Sequence, residues 1–200
     1  VAIYEEKKRL RKMMKALRSA MPKEEWQERS ARIVQNIKTL EKFQSAKVIH
    51  AFISDEKRQE VNLIPLLEQI ISTPKKLLVP VIERNEIISV ELTSLNDLAP
   101  HTFGVREPTE RVPSPLEREI DLVLVPLLAA DKHGNRLGYG KGYYDRFFKR
   151  LSPNTFKLGI AFEFQILDQV PTTKSDVRLN AIMTENGLIE CHHDDVKAVR

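Results

Sequence analysis

The 200-residue sequence predicts a three-layer α/β fold with a largely parallel central sheet flanked by helices. Three observations carry that expectation. Short apolar runs alternate along the chain with stretches whose apolar residues recur at helical spacing. Several runs, VIHAFIS and LVLVP among them, are continuous rather than alternating, as strands buried on both faces are. A glycine-rich segment comes soon after LVLVP, at the strand end where open α/β sheets bind ligands.

In chain order, residues 4–20 carry Leu10, Met13, Met14 and Leu17 at a spacing that predicts one apolar helical face. Lys7, Lys8, Arg11, Lys15 and Arg18 fall on the other face. Pro22 at a first-turn position, then Glu24 and Glu25, predict a second helix that turns Trp26, Ile33, Ile37 and Leu40 inward. Residues 48–54 read as a buried strand, and residues 61–71 as a helix with Asn62 as its cap. Residues 77–82 and 87–92 are strands able to pair across residues 83–86. Residues 95–115 are proline-rich and predict an irregular surface excursion. Residues 122–126 are a strand, residues 142–151 a helix with Tyr144, Phe147, Phe148 and Leu151 inward, and residues 158–162 a strand. Residues 181–185 and 188–190 flank the hairpin turn Asn186-Gly187. The whole predicts one α/β domain over residues 1–200, with an N-terminal helical segment of about residues 4–40 packed on it.

Charged residues make up 30% of the chain with both signs mixed, for a net charge of +4. That balance suits an anionic substrate, although solubility alone also accounts for it. The single cysteine, Cys191, excludes an intramolecular disulfide framework and a cysteine-built metal site, and fits a reducing compartment. No apolar run approaches the roughly 20 residues of a membrane span. The first fifteen residues lack the apolar core of a signal peptide. A cytoplasmic, monomeric enzyme without a membrane partner is expected.

Chemistry concentrates in GNRLGYGKGYYD, residues 134–145. Gly134, Gly138, Gly140 and Gly142 are four of the chain's seven glycines. Glycine lets backbone N–H groups converge on an anion, and the following helix adds its own free N–H groups. Arg136 offers a planar fork for phosphate oxygens and Lys141 a mobile point charge. A Walker A loop is excluded, because Gly142 rather than Ser or Thr follows Lys141. The G-x-G-x-G spacing also departs from the dinucleotide fingerprint. The segment therefore reads as a nucleotide-phosphate cradle. Asp145 has two open readings, compensation of a helix dipole or a hold on Mg²⁺. Asp176 by itself reads as a solvated loop aspartate.

This segment, preceded by DLVLVPLLAADKH, resembles the signature of the 5-formyltetrahydrofolate cyclo-ligase family, the methenyltetrahydrofolate synthetases. The K-x-x-L-R of Lys7 to Arg11 and a strand followed by Glu60 resemble further family segments. The resemblance implies ATP and Mg²⁺ as cofactors and a reduced folate as substrate. It implies ATP contacts from Lys7, Lys8, Arg9, Leu10 and Arg11, and from Arg136, Leu137, Gly138, Tyr139, Gly140, Lys141, Gly142, Tyr143 and Tyr144. Folate contacts are implied for Ile53, Asp55 and Glu60 and for Tyr139, Gly140, Lys141, Gly142 and Tyr143. Arg136 and Lys141 take the catalytic role of stabilising transition-state charge, and Asp145 and Asp176 hold the metal. Asn180 stands where the family often has Asp, so the second metal carboxylate is assigned to Asp176. A rival reading is a sugar-phosphate isomerase or CoA-transferase-like enzyme, whose topology this fold is expected to share. No catalytic Glu in a matching motif supports it. A nucleic-acid partner is not expected either, since aromatics are only 6% and do not interleave with basic residues.

Overall fold

The computed structural model describes residues 2–100 and 106–192. Three helices come first, α1 (Ala2–Ser19), α2 (Lys23–Thr39) and α3 (Glu41–Ser45), followed by β1 (Val48–Ala51), α4 (Ile64–Ile71), β2 (Lys76–Glu83) and β3 (Glu86–Glu91). A short antiparallel pair, β4 (Leu98–Pro100) and β5 (Arg106–Pro108), precedes β6 (Leu122–Pro126). A second short pair, β7 (Ala129–Ala130) and β8 (Arg136–Leu137), leads to α5 (Tyr143–Phe148). The chain continues through β9 (Phe156–Ile160), β10 (Ala181–Thr184) and β11 (Gly187–Glu190).

Seven strands form one sheet in the order β11-β10-β9-β6-β1-β2-β3. The five inner strands run parallel, and β11 and β3 close the two edges antiparallel. Side-chain alternation sends the two sets of inward residues to different cores. Ile49, Leu77, Leu122, Leu124 and Met183 pack with Trp26, Ile33 and Ile37 of α2 and Leu66, Leu67 and Ile70 of α4. Val48, Leu78, Val123, Val125 and Ile182 pack on the opposite face with Phe147, Phe148 and Leu151. Helices thus cover both faces, as the apolar runs predict.

Several expectations change. The helical face of α1 is rotated: Leu10, Met14 and Arg18 are buried, whereas Met13 and Leu17 are 37% and 48% exposed. Asn62 lies two residues ahead of α4, where its Oδ1 accepts from the Ile64 N–H at 3.1 Å. The 83–86 turn has Arg84 and Asn85 at φ +48° and +64°, the twist that favours a two-residue hairpin. The excursion after β3 holds ordered pieces, β4, β5 and a 3-10 turn over Pro115–Glu119, while residues 101–105 lie outside the described residues. Helix α5 spans only six residues.

His50, on the central strand β1, is fully buried and packs on the Phe147 ring at 4.6 Å. Neither ring nitrogen has a hydrogen-bond partner among the described residues. Burial, reinforced by the charge of Arg150, pushes its pKa from 6.5 down to about 3. The folded state therefore keeps His50 neutral where the unfolded chain takes up a proton. Stability must fall as pH drops from 6.5 toward 3, by at most about 1.4 kcal/mol per pH unit from this group. Denaturant melts of wild type and His50→Leu between pH 7 and pH 4 check this. The variant should lose the acid slope, and parallel slopes would show that other groups set it.

Candidate active site

The direction of strand addition reverses between β1 and β6, because β2 joins one side of β1 and β6 the other. Such a switch point leaves a crevice beyond the carboxyl ends of the two strands. Two cavities open there. Pro126, the last residue of β6, lines both, and Phe52 and Ile53, just past β1, line the larger.

The glycine segment reaches this crevice on a framed loop. Asp131, fully buried, accepts from the backbone N–H groups of His133, Asn135 and Val170 at 3.0, 3.1 and 2.8 Å. Arg11 Nε donates to the Gly138 carbonyl at 2.9 Å, tying α1 to the loop. Gly140 has φ +97°, and a Cβ there would lie 3.1 Å from the Arg11 guanidinium carbon. Gly142, at φ +66°, begins α5 with no side-chain cap. A six-residue helix has a small dipole, so the cavity's positive character comes from side chains rather than the helix N-terminus.

The smaller cavity, about 320 Å³, is lined by Lys7, Arg11, Arg136, Lys141, Arg146 and Lys149, with Asp145 and Asp176 as its acids. Arg136 is buried. Its Nη2 donates to Asp145 Oδ1 at 2.7 Å, its Nη1 to the Val177 carbonyl, and its guanidinium lies 4.9 Å from the Phe148 ring centre. Asp145 Oδ1 also accepts from the Val177 N–H at 2.9 Å. Asp176 Oδ2 accepts from Lys7 Nζ at 2.6 Å and from the Thr173 N–H at 2.9 Å. Burial alone would raise the Asp176 carboxyl, but these bonds outweigh it and hold the group below its ordinary value. Both bonds to Asp145 fall on Oδ1, and the Asp176 carboxylate also interacts with the Thr173 side chain. Two hard oxygen donors facing one cavity fit Mg²⁺, which takes one or two carboxylates and fills its shell with water and phosphate oxygens. No group of three or more His, Cys, Asp or Glu gathers among the described residues.

Not all of the first-helix residues come to this cavity. Lys7 and Arg11 line it, but Lys8 and Arg9 are exposed and line neither cavity. Leu10 points into a small core with Met14, Leu128, Leu137 and Val170. Residues one position off the 7–11–14–18 stripe are carried around the helix by its 100° step. Lys141 is exposed at the junction of the cavities and forms no ion pair among the described residues.

The larger cavity, about 710 Å³, has apolar walls from Phe52, Ile53, Pro80, Ile82 and Ile87. Its one buried acid among the described residues is Glu60, 8% exposed, which accepts from the Tyr139 hydroxyl at Oε1 and from the Asp55 N–H at Oε2, 3.0 Å away. Asp55 is a correction. Its carboxylate turns into its own loop, accepts from the Lys57 N–H at 2.9 Å and pairs with Arg58 Nε at 3.1 Å, and lines neither cavity. It caps the 3-10 turn Glu56–Arg58 that carries the chain to Glu60. Pro126, Tyr139, Lys141, Tyr143 and Tyr144 line both cavities and form a common wall. The Tyr144 hydroxyl is buried there without a partner among the described residues, and burial raises its pKa so that it keeps its proton. Arg18, Arg146 and Lys149 are lining residues that sequence reasoning did not single out for the site. The last two follow the glycine segment at one-turn spacing, a signal that was available.

Cavities at a strand-order switch, one cationic and one apolar, on either side of a glycine-rich wall define an α/β enzyme with its site beyond the sheet's carboxyl ends. The profile of the 5-formyltetrahydrofolate cyclo-ligase family matches residues 3–185, and the chain belongs to that family. It is 29% identical to the probable 5-formyltetrahydrofolate cyclo-ligase of Caenorhabditis elegans, over 94% of this chain and 97% of that one. The Mus musculus 5-formyltetrahydrofolate cyclo-ligase is likewise 29% identical, with the same shares covered. The solved structure of Aquifex aeolicus 5,10-methenyltetrahydrofolate synthetase superposes with a TM-score of 0.80 at 31% identity, covering 97% of this chain and 96% of that one. No helix among the described residues is long and apolar enough to cross a membrane.

Proposed function

We propose that the enzyme converts 5-formyltetrahydrofolate and ATP to 5,10-methenyltetrahydrofolate, ADP and phosphate, as a monomer in a reducing compartment such as the cytoplasm. The observation that carries this reading is the common wall: one glycine segment faces a cationic cavity on one side and an apolar cavity on the other. A reaction that moves a phosphoryl group from one substrate to the other needs that adjacency. Bound Mg-ATP supplies the phosphoryl group that turns the formyl oxygen into a leaving group, after which the second folate nitrogen closes the ring and phosphate departs.

The chain's own residues act by position and charge. Lys7, Arg11 and Arg136 hold the phosphates in the smaller cavity with the backbone of residues 137–144. Lys141, at the junction, neutralises charge as it develops on the transferring group. Asp145 and Asp176 offer carboxylate oxygens to Mg²⁺. In the larger cavity Ile53 and Phe52 pack against the pterin, and Glu60 accepts from its amino and ring N–H groups. Folded protein mixed with 5-formyltetrahydrofolate and Mg-ATP should generate the methenyl chromophore in the near ultraviolet. No ATP-dependent signal would overturn the proposal.

A further inference from the structure

Arg18 is an unusual residue for a surface helix. It is 3% exposed, yet it forms no ion pair among the described residues. Its Nε donates to the Arg58 carbonyl at 2.6 Å and its Nη2 to the Tyr139 hydroxyl at 2.8 Å. A guanidinium cannot accept, so the phenol oxygen must be the acceptor of that bond. The phenol proton is then left for Glu60 Oε1, the hydroxyl's other partner. Burial and the neighbouring Glu60 raise the Tyr139 pKa, so the proton remains in place to be donated. The Arg18–Tyr139–Glu60 chain therefore has a fixed direction.

That direction determines what Glu60 presents to the cavity. A carboxylate has about four lone-pair sites. Two are taken among the described residues, one on each oxygen, by Tyr139 and by the Asp55 N–H. That leaves acceptor capacity on each oxygen of a residue that lines the larger cavity, which suits a flat ring edge carrying two adjacent N–H donors. We infer that Arg18 and Tyr139 are positioning residues that hold the Glu60 carboxylate in the orientation that recognises such an edge. This inference rests on the proposed function, in which Glu60 meets the pterin. Arg18 lines only the larger cavity, whereas Tyr139 lines both, so the substrate-specific effect is read at Arg18.

Calorimetric titrations with 5-formyltetrahydrofolate and, separately, with Mg-ADP test it. Tyr139→Phe should weaken folate binding about tenfold, the usual consequence of losing a hydrogen bond to an ionised group. A thermal melt shows that the variant is folded, and Arg18→Met, whose side chain lines only the larger cavity, should keep its affinity for Mg-ADP within about twofold. Arg18→Met should weaken folate binding on its own but add nothing when combined with Tyr139→Phe, because it acts through the phenol. Additive losses, or wild-type folate affinity in Tyr139→Phe, would overturn the relay. If Tyr139→Phe does not fold, Arg18→Met decides by the same criterion, folate affinity lost and Mg-ADP affinity kept. Wild type that binds no folate overturns the proposed function itself. Folate binding lost in Glu60→Gln but kept in Tyr139→Phe overturns the relay alone.

Discussion

Replacing Lys141 with alanine is expected to lower turnover by about a hundredfold or more, the typical loss when one donor that stabilises transition-state charge is removed. Its position makes the effect separable from stability. Lys141 is exposed and unpaired among the described residues, and surface substitutions of that kind usually change stability by less than about 0.5 kcal/mol. Gly140 and Gly142 on either side set the backbone path without its help. Initial rates with Mg-ATP and 5-formyltetrahydrofolate, set beside a thermal melt, give the answer. A normal melt with turnover near that of wild type would remove Lys141 from the mechanism.

Asp145→Ala should have the largest effect on folding. It strips the buried Arg136, whose side chain is 5% exposed, of its only carboxylate among the described residues. It also leaves the Val177 N–H without its acceptor. Breaking a buried pair on one side costs about 3–5 kcal/mol. Asp145 keeps 22% exposure, so a loss near the bottom of that range, about 3 kcal/mol, is expected from denaturant melts. The same variant should need more Mg²⁺ for half-maximal activity. An unchanged Mg²⁺ titration would assign Asp145 to Arg136 alone. Compensation of a helix dipole contributes little in either case, because α5 has six residues.

Legibility in the sequence follows how locally each feature is determined. LVLVP reads as a strand and is one, with the same bounds, because both of its faces enter apolar cores and hydrophobicity alone marks it. The family signature marks the glycine segment equally well. Amphipathic reasoning misplaces the inward face of α1 because it puts every cation in water. Arg18 and Lys7 are instead held by Arg58, Tyr139 and Asp176, partners 40 to 169 residues away. Met13 and Leu17 are left outside as a result. Asp55 misleads for a similar reason. It is buried, like a site residue, but its acceptors serve the turn that it begins. The bond from Tyr139 to Glu60 spans 79 residues, and no local pattern announces it.

The wall shared by the two cavities also bears on inhibitor chemistry. Pro126, Tyr139, Lys141, Tyr143 and Tyr144 are, among the described residues, the only lining residues common to both, so the two cavities adjoin along one wall. A single compound with a polyanionic head for the cationic cavity and a flat, donor-edged ring for the apolar one needs only a short bridge past Lys141. Joining two weak ligands in this way makes the second binding event intramolecular, at an effective concentration of the order of millimolar for a short flexible bridge. Affinity then comes from the bridge length as much as from either end, and shortening or extending it by a few atoms becomes the most direct route to a tight ligand.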